Sequence, residues 1–173
     1  MTAIDLIVLG MLENEALSAY DLQKLVEYRN ISKWVKISTP SIYKKVLQLE
    51  EKGLISSHIE KEGKMPEKAV YALTDAGKEA FETLMLDLSR KPIFFLLDFN
   101  AVIVNVQSLP KQRQKECLDN IQTNIKALKA YLRENLDAKE KADHIPPMGM
   151  AVLRQQLSLA QTIEEWMASL KVE

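Results

Sequence analysis

Between Thr39 and Leu54 the chain reads TPSIYKKVLQLEEKGL, and few arrangements satisfy that stretch. Thr39 can cap a helix N-terminus, and Pro40 fits the first helical position, where its missing N–H costs nothing. Ile42, Val46 and Leu49 recur at helical spacing as one apolar stripe. Gly53 stands where a left-handed residue ends a helix. Ser41, Lys44, Lys45, Gln48 and Lys52 form a second stripe of hydroxyl, amide and ammonium groups. A capped helix with an apolar back and such a front fits a DNA major groove. The same pattern also describes an ordinary amphipathic surface helix, and the flanking sequence has to decide between the two.

Upstream, Ala3 to Leu12 is apolar nearly all round, as a central helix should be. Ser18 followed by Asp21 gives a capping-type start to a second helix that runs through Leu22, Leu25 and Val26 to about Arg29. Residues 30–38 form an irregular bridge in which Trp34 is expected to plug the core. Downstream of Gly53, two short strand-like runs flank the turn-rich KEGKMPE. The tip and its flanks carry Lys61, Lys64 and Lys68. Three helices followed by a hairpin make a winged helix-turn-helix, with the third helix in the major groove and the wing on the adjacent backbone or minor groove. The formal net charge of −1 rules out an all-over cation, so nucleic-acid binding must rest on a local patch. From Arg29 to Lys52 the chain supplies one, with six basic and two acidic residues and a local charge of +4.

Thr74 can cap a fourth helix from Asp75 to about Arg90, stopped by Pro92. Ile93 to Ser108 reads as a helix apolar on most sides and buried between layers. From Lys111 to about Leu136, Leu118, Ile121, Ile125, Leu128, Leu132 and Leu136 follow a near-heptad seam. DAKEKADHIPPMG reads as a charged linker before a last helix from Met148 to about Leu170. Its stripe, with the neighbouring seam, exceeds what a small domain can cover. The surplus predicts a homodimer, with Leu153, Leu157, Ile163, Met167 and Leu170 as dimerisation contacts. The expected fold is therefore mainly α: a winged helix-turn-helix with a linking helix over residues 1–90, then an α-helical dimerisation domain over 91–173.

The candidate DNA contacts are Thr39, Ser41, Tyr43, Lys44, Lys45 and Gln48 on the third helix and Lys64 and Lys68 on the wing. Phosphate contacts position a protein and base contacts specify sequence; Gln48 could read adenine. For Tyr43 the alternative is a partly buried aromatic, and for the lysines a merely solvated face. Tyr20 is read as core or junction packing. The runner-up function is a winged-helix module that docks protein and not DNA.

Other classes are poorly supported. Cys117 is the sole cysteine, so no intrachain disulfide forms, and a reducing, cytoplasmic compartment is expected. The opening MTAIDLIVLGML lacks a basic leader and carries Asp5, and reads as a first helix and not a signal peptide. The apolar run from Ile93 to Val106 is broken by Asp98, Asn100 and Asn105 and is too short to span a bilayer. His58 and His144 lack companions at ligand spacing. With no nucleophile elbow, glycine-rich phosphate loop or Cys/His constellation, no catalytic residue, metal or cofactor is expected, and the chain does not read as an enzyme.

Three blocks resemble the PadR-type transcriptional regulators. Ser18-Ala19-Tyr20-Asp21-Leu22 is similar to the family's (H/S)GY(E/D)L block, with Ala19 where glycine is usual. Ser41-Ile42-Tyr43 and Leu47 to Leu54 are similar to its third helix, with Lys44 where proline is common. Tyr71-x-Leu73-Thr74-x-x-Gly77 is similar to the segment that ends the wing. The resemblance implies a homodimeric repressor on a partly palindromic double-stranded operator, its half-sites about one DNA turn apart. It also implies release by a small aromatic or drug-like effector near the domain junction. Phe95, Phe99 and Trp166 would then be walls of the pocket, and otherwise core.

Overall fold

The computed structural model describes residues 1–37, 40–61, 67–142 and 145–170, with Pro40 by its backbone alone. It divides into two compact units, Met1–Ile93 and Phe94–Glu173. No described helix is long and apolar enough to cross a membrane.

The first unit runs α1 (Ala3–Leu12), β1 (Leu17–Ser18), α2 (Ala19–Tyr28), a 3₁₀ turn at Ile31–Lys33, α3 (Pro40–Glu51), β2 (Ile55–Glu60), β3 (Lys68–Leu73) and α4 (Asp75–Ser89). It is a winged helix-turn-helix. β2 and β3 form the antiparallel wing, pairing Ile55 with Leu73 and Glu60 with Lys68. β1 adds a third antiparallel strand on the other edge of β3, with Leu17 opposite Tyr71. That two-residue strand had no signal of its own in the sequence; only its partner defines it.

The core of this unit is built by α1, α2, α3 and the sheet. Val8, Leu9, Leu22, Val26, Ile42, Val46, Leu49 and Ile55 are all but fully buried. Each such side chain contributes about 1.5–3 kcal/mol of transfer free energy. Trp34 does not plug this core: it is 40% exposed, and Ile31 and Ile37 fill that role from the same bridge. The smaller Ile31 and Ile37 join the buried cluster, and the bulkier indole is left at the surface.

α3 ends at Gly53, whose φ of +70° is the left-handed conformation that glycine adopts without strain. The Gly53 and Leu54 N–H groups then donate to the Glu50 and Leu49 carbonyls, at 2.8 and 3.0 Å. Thr74 closes the junction from the far side. Its hydroxyl donates to the Gly53 carbonyl at 2.7 Å and accepts the Gly77 N–H at 3.0 Å, capping α4. Its own N–H donates to the Leu54 carbonyl at 3.2 Å. The fit is so close that a Cβ on Gly77 would lie 1.9 Å from that carbonyl oxygen.

The second unit holds α5 (Asn100–Asn105), a 3₁₀ turn at Val106–Ser108, α6 (Lys111–Glu140) and α7 (Pro147–Ser169). α6 outruns its expected end at Leu136. The charged segment after it continues as helix to Glu140, where the carboxylate accepts from Arg154 of α7 at 3.0 Å. α6 and α7 pack as a hairpin around Ile121, Ile125 and Met167, flanked by Phe99, Ile103, Leu118, Ile163 and Leu170. Lys129 and Glu164 form an ion pair across it.

The expected buried helix over Ile93–Ser108 is a further correction. Residues 92–97 carry no regular structure, and Ile93, Phe94, Phe95 and Leu96 are 70–86% exposed. Apolar content alone cannot separate a buried helix from an open, exposed segment.

Candidate nucleic-acid interface

α3 sorts its side chains sharply. Ile42, Val46 and Leu49 are buried, while Tyr43, Lys44, Leu47, Glu51 and Lys52 are exposed and Ser41 and Gln48 half-buried. At 3.6 residues per turn, positions 43, 44, 47, 48 and 51 share one face. Tyr43, Lys44 and Gln48 therefore share the outward face, and Ser41 sits at the helix start. Thr39 and Lys64 lie outside the described residues.

Lys45 behaves otherwise, and the expectation of an outward-facing contact has to be corrected. Its ammonium lies 2.9 Å from the Asp5 carboxylate of α1, with the two side chains only 22% and 4% exposed. Asp5 also accepts the Thr2 N–H at 2.6 Å and the Thr2 hydroxyl at 3.0 Å. Burial by itself would raise the Asp5 carboxyl. The hydrogen bonds from Lys45 and Thr2, helped by the lysine charge, outweigh it and hold Asp5 below the ordinary aspartate value. The pair fastens the middle of α3 to the first turn of α1. A lysine spent on that contact is not available to phosphate.

A second carboxylate organises the wing side. Ser18 caps α2: its hydroxyl donates to Asp21 at 2.6 Å and accepts the Asp21 N–H at 3.1 Å. The hydroxyl bond, against a smaller opposing effect of burial and with help from the Ser18 N–H and Lys68, lowers the Asp21 pKa. Lys68 of β3 stands 4.0 Å from Asp21 and is still about half exposed. Lys61 and Glu67 pair at 3.4 Å near the wing's end, and His58 and Glu60 at 2.9 Å along β2. The wing is therefore less basic than its lysines suggest. Tyr20 is exposed and not packed, with the Lys24 ammonium 5.3 Å from its ring centroid. Glu50 accepts from the Ser57 hydroxyl and so ties the end of α3 to β2. Burial, and then the Glu50 charge, raise the Tyr71 phenol.

The other site residues are in the second unit. Phe99 and Trp166 meet with ring centroids 6.2 Å apart and planes tilted by 35°; Phe95 stands open to solvent. Ile163, Met167 and Leu170 are taken up by packing within the chain, against the α6 seam. Leu153 and Leu157 are half-buried. Among the described residues no group of His, Cys, Asp and Glu could hold a metal ion.

Residues 8–83 match the model of the transcriptional regulator PadR-like family. No curated protein matches the chain. Among solved structures, Bacillus subtilis PadR in complex with operator DNA superposes with a TM-score of 0.82 at 20% identity, covering 97% of both chains. The same protein in complex with p-coumaric acid gives 0.77 at 19%, covering 98% of this chain and 95% of that one. The Vibrio cholerae virulence activator AphA gives 0.70 at 18%, covering 96% and 94%. At these identities the likeness establishes the fold.

Proposed function

Residues 8–83 match the model of the transcriptional regulator PadR-like family, and from that premise we propose that the chain is a homodimeric, operator-reading repressor released by a small aromatic effector. The observation that carries the reading is the outward face of α3. A helix whose apolar back is fully buried presents Tyr43, Lys44 and Gln48 together on the opposite side. Lys44 supplies phosphate charge, Tyr43 and Ser41 hydroxyl contacts, and Gln48 a base-reading amide. Lys68 on the wing, and Thr39 and Lys64 outside the described residues, complete the proposed contact set. A cytoplasmic site of action belongs to the same reading.

The test is selection of genomic fragments by the purified protein at near-physiological salt. One short inverted repeat should emerge, and Lys44→Ala should bind it more weakly, with a salt slope shallower by about one unit per lost phosphate contact. Selection of nothing beyond salt-sensitive background favours the protein-docking module instead. Repression follows the family resemblance and is read from the regulated genes, since the same fold also serves an activator, AphA.

Residues 1–90 would bind DNA and residues 91–173 would dimerise. The exposed Ile93–Leu96 run and Val104 favour a second copy as their cover, with Leu153 and Leu157 at the edge of the contact. Sedimentation should give twice the chain mass, and Phe94→Glu with Phe95→Glu should return a monomer that keeps its helical content. A monomeric parent chain would exclude the dimer. For the effector, p-coumaric acid is the natural first probe, given its complex with a structural neighbour. Walls formed by Phe99 and Trp166, with Phe95 from the open segment, suit an aromatic ring. Addition to the selected complex should release the DNA.

A further inference from the structure

α3 has one side chain out of place. Its other aliphatic groups, Ile42, Val46 and Leu49, are at most 1% exposed, whereas Leu47 is 60% exposed. A single exposed leucine is ordinary on a protein surface. The position of this one is not neutral, however. It follows Tyr43 and Lys44 by one turn, stands beside Gln48 and precedes Glu51, in the middle of the polar face. An aliphatic group there can satisfy neither a phosphate nor a base hydrogen bond. It has one complementary group in the major groove, the C5-methyl of thymine, which no other DNA base carries there. Resting on the DNA-reading function proposed for α3, we propose that Leu47 is a specificity-determining residue that packs on a thymine methyl in each half-site.

The assignment explains why a leucine occurs at the centre of a face otherwise suited to water and phosphate. Lys44 and Tyr43 would hold the helix in register, and Leu47 would ask whether the base pair below carries a methyl group. A docked protein is a poorer occupant, because Leu47 and the Tyr43 ring, flanked by Lys44, Gln48 and Glu51, make only a small apolar patch.

The experiment replaces thymidine by deoxyuridine, one position at a time, in the fragment the protein selects. The change removes the methyl and keeps the base-pairing edge. Binding is read by fluorescence anisotropy at fixed salt. At one position per half-site the parent protein should lose about three- to fivefold in affinity per methyl, and about tenfold or more with both half-sites changed. Leu47→Ala should bind the thymidine fragment about tenfold more weakly, ignore the deoxyuridine change at that position, and keep the parent salt slope. A parent protein indifferent to deoxyuridine at every position overturns the assignment while leaving DNA reading intact, as does a Leu47→Ala variant that stays sensitive. If no fragment is selected at all, the DNA-reading function fails and the assignment falls with it.

Discussion

Gly77→Ala should cost the first unit at least about 3 kcal/mol, or prevent it from folding. The added Cβ would meet the Leu54 carbonyl oxygen at 1.9 Å and the Leu73 side chain at 2.9 Å. The first contact is with backbone, which cannot swing aside as a flexible side chain could. Relief requires moving α4 away from the α3–β2 junction. That would loosen the Thr74 bonds to Gly53 and Leu54 and open the core beneath them. For a unit of this size the loss corresponds to a fall in Tm on the order of 15 °C, read as the transition of the winged-helix unit by calorimetry. Gly149→Ala is the matched control. Its Cβ meets nothing within 4 Å, and its site in α7 favours alanine, so it should be neutral or stabilising by up to about 1 kcal/mol. Equal transitions for the two variants would contradict the close approach at Gly77.

Asp5→Ala should be the next most damaging change, at about 2–4 kcal/mol, because it strands the Lys45 ammonium against the protein with no anion. Adding Lys45→Met should restore much of the loss, since it removes the stranded charge while methionine keeps most of the lysine's apolar volume. The sign of the pH effect follows from the lowered Asp5 pKa. A carboxyl that is more acidic in the folded chain contributes stability that is complete above its unfolded value of about 3.9. That stability drains away as pH falls through the lower folded value. Acid unfolding below about pH 4 should therefore be shallower in Asp5→Ala than in the parent, with Asp21 supplying part of what remains. An unchanged Tm in Asp5→Ala would mean that the ion pair contributes nothing net.

The local features were legible because their causes are local. Ser18 and Asp21 sit three apart and form the cap that their spacing predicts. Ile42, Val46 and Leu49 repeat at helical spacing and are the buried back of α3. What escaped depends on partners distant in sequence. Nothing adjacent to Lys45 distinguishes it from Lys44; the carboxylate that claims it lies forty positions earlier, on another helix. Ile163, Met167 and Leu170 form a stripe that calls for a partner helix, but a stripe cannot tell whether that helix is α6 or another copy. Trp34 and Tyr20 are large aromatic groups that a core could hold, yet both stand exposed, and aliphatic side chains fill the core without them. The Ile93–Leu96 run misled for a related reason, since burial is a property of the neighbours and not of the residues themselves.

The Thr74–Gly77 closure has a mechanical side. α4 is 15 residues long, a rod of about 22 Å at the usual rise. Its near end is pinned to the end of α3 through Gly53 and to the root of the wing through Leu54. The close approach at Gly77 leaves no room for a side chain at that pivot. Because the closure joins α4 to both α3 and β2, a turn of the rod would be passed to the helix and the hairpin together. If the first unit reads DNA as proposed, a small rotation delivered to that one rod would swing helix and wing together out of step with the groove.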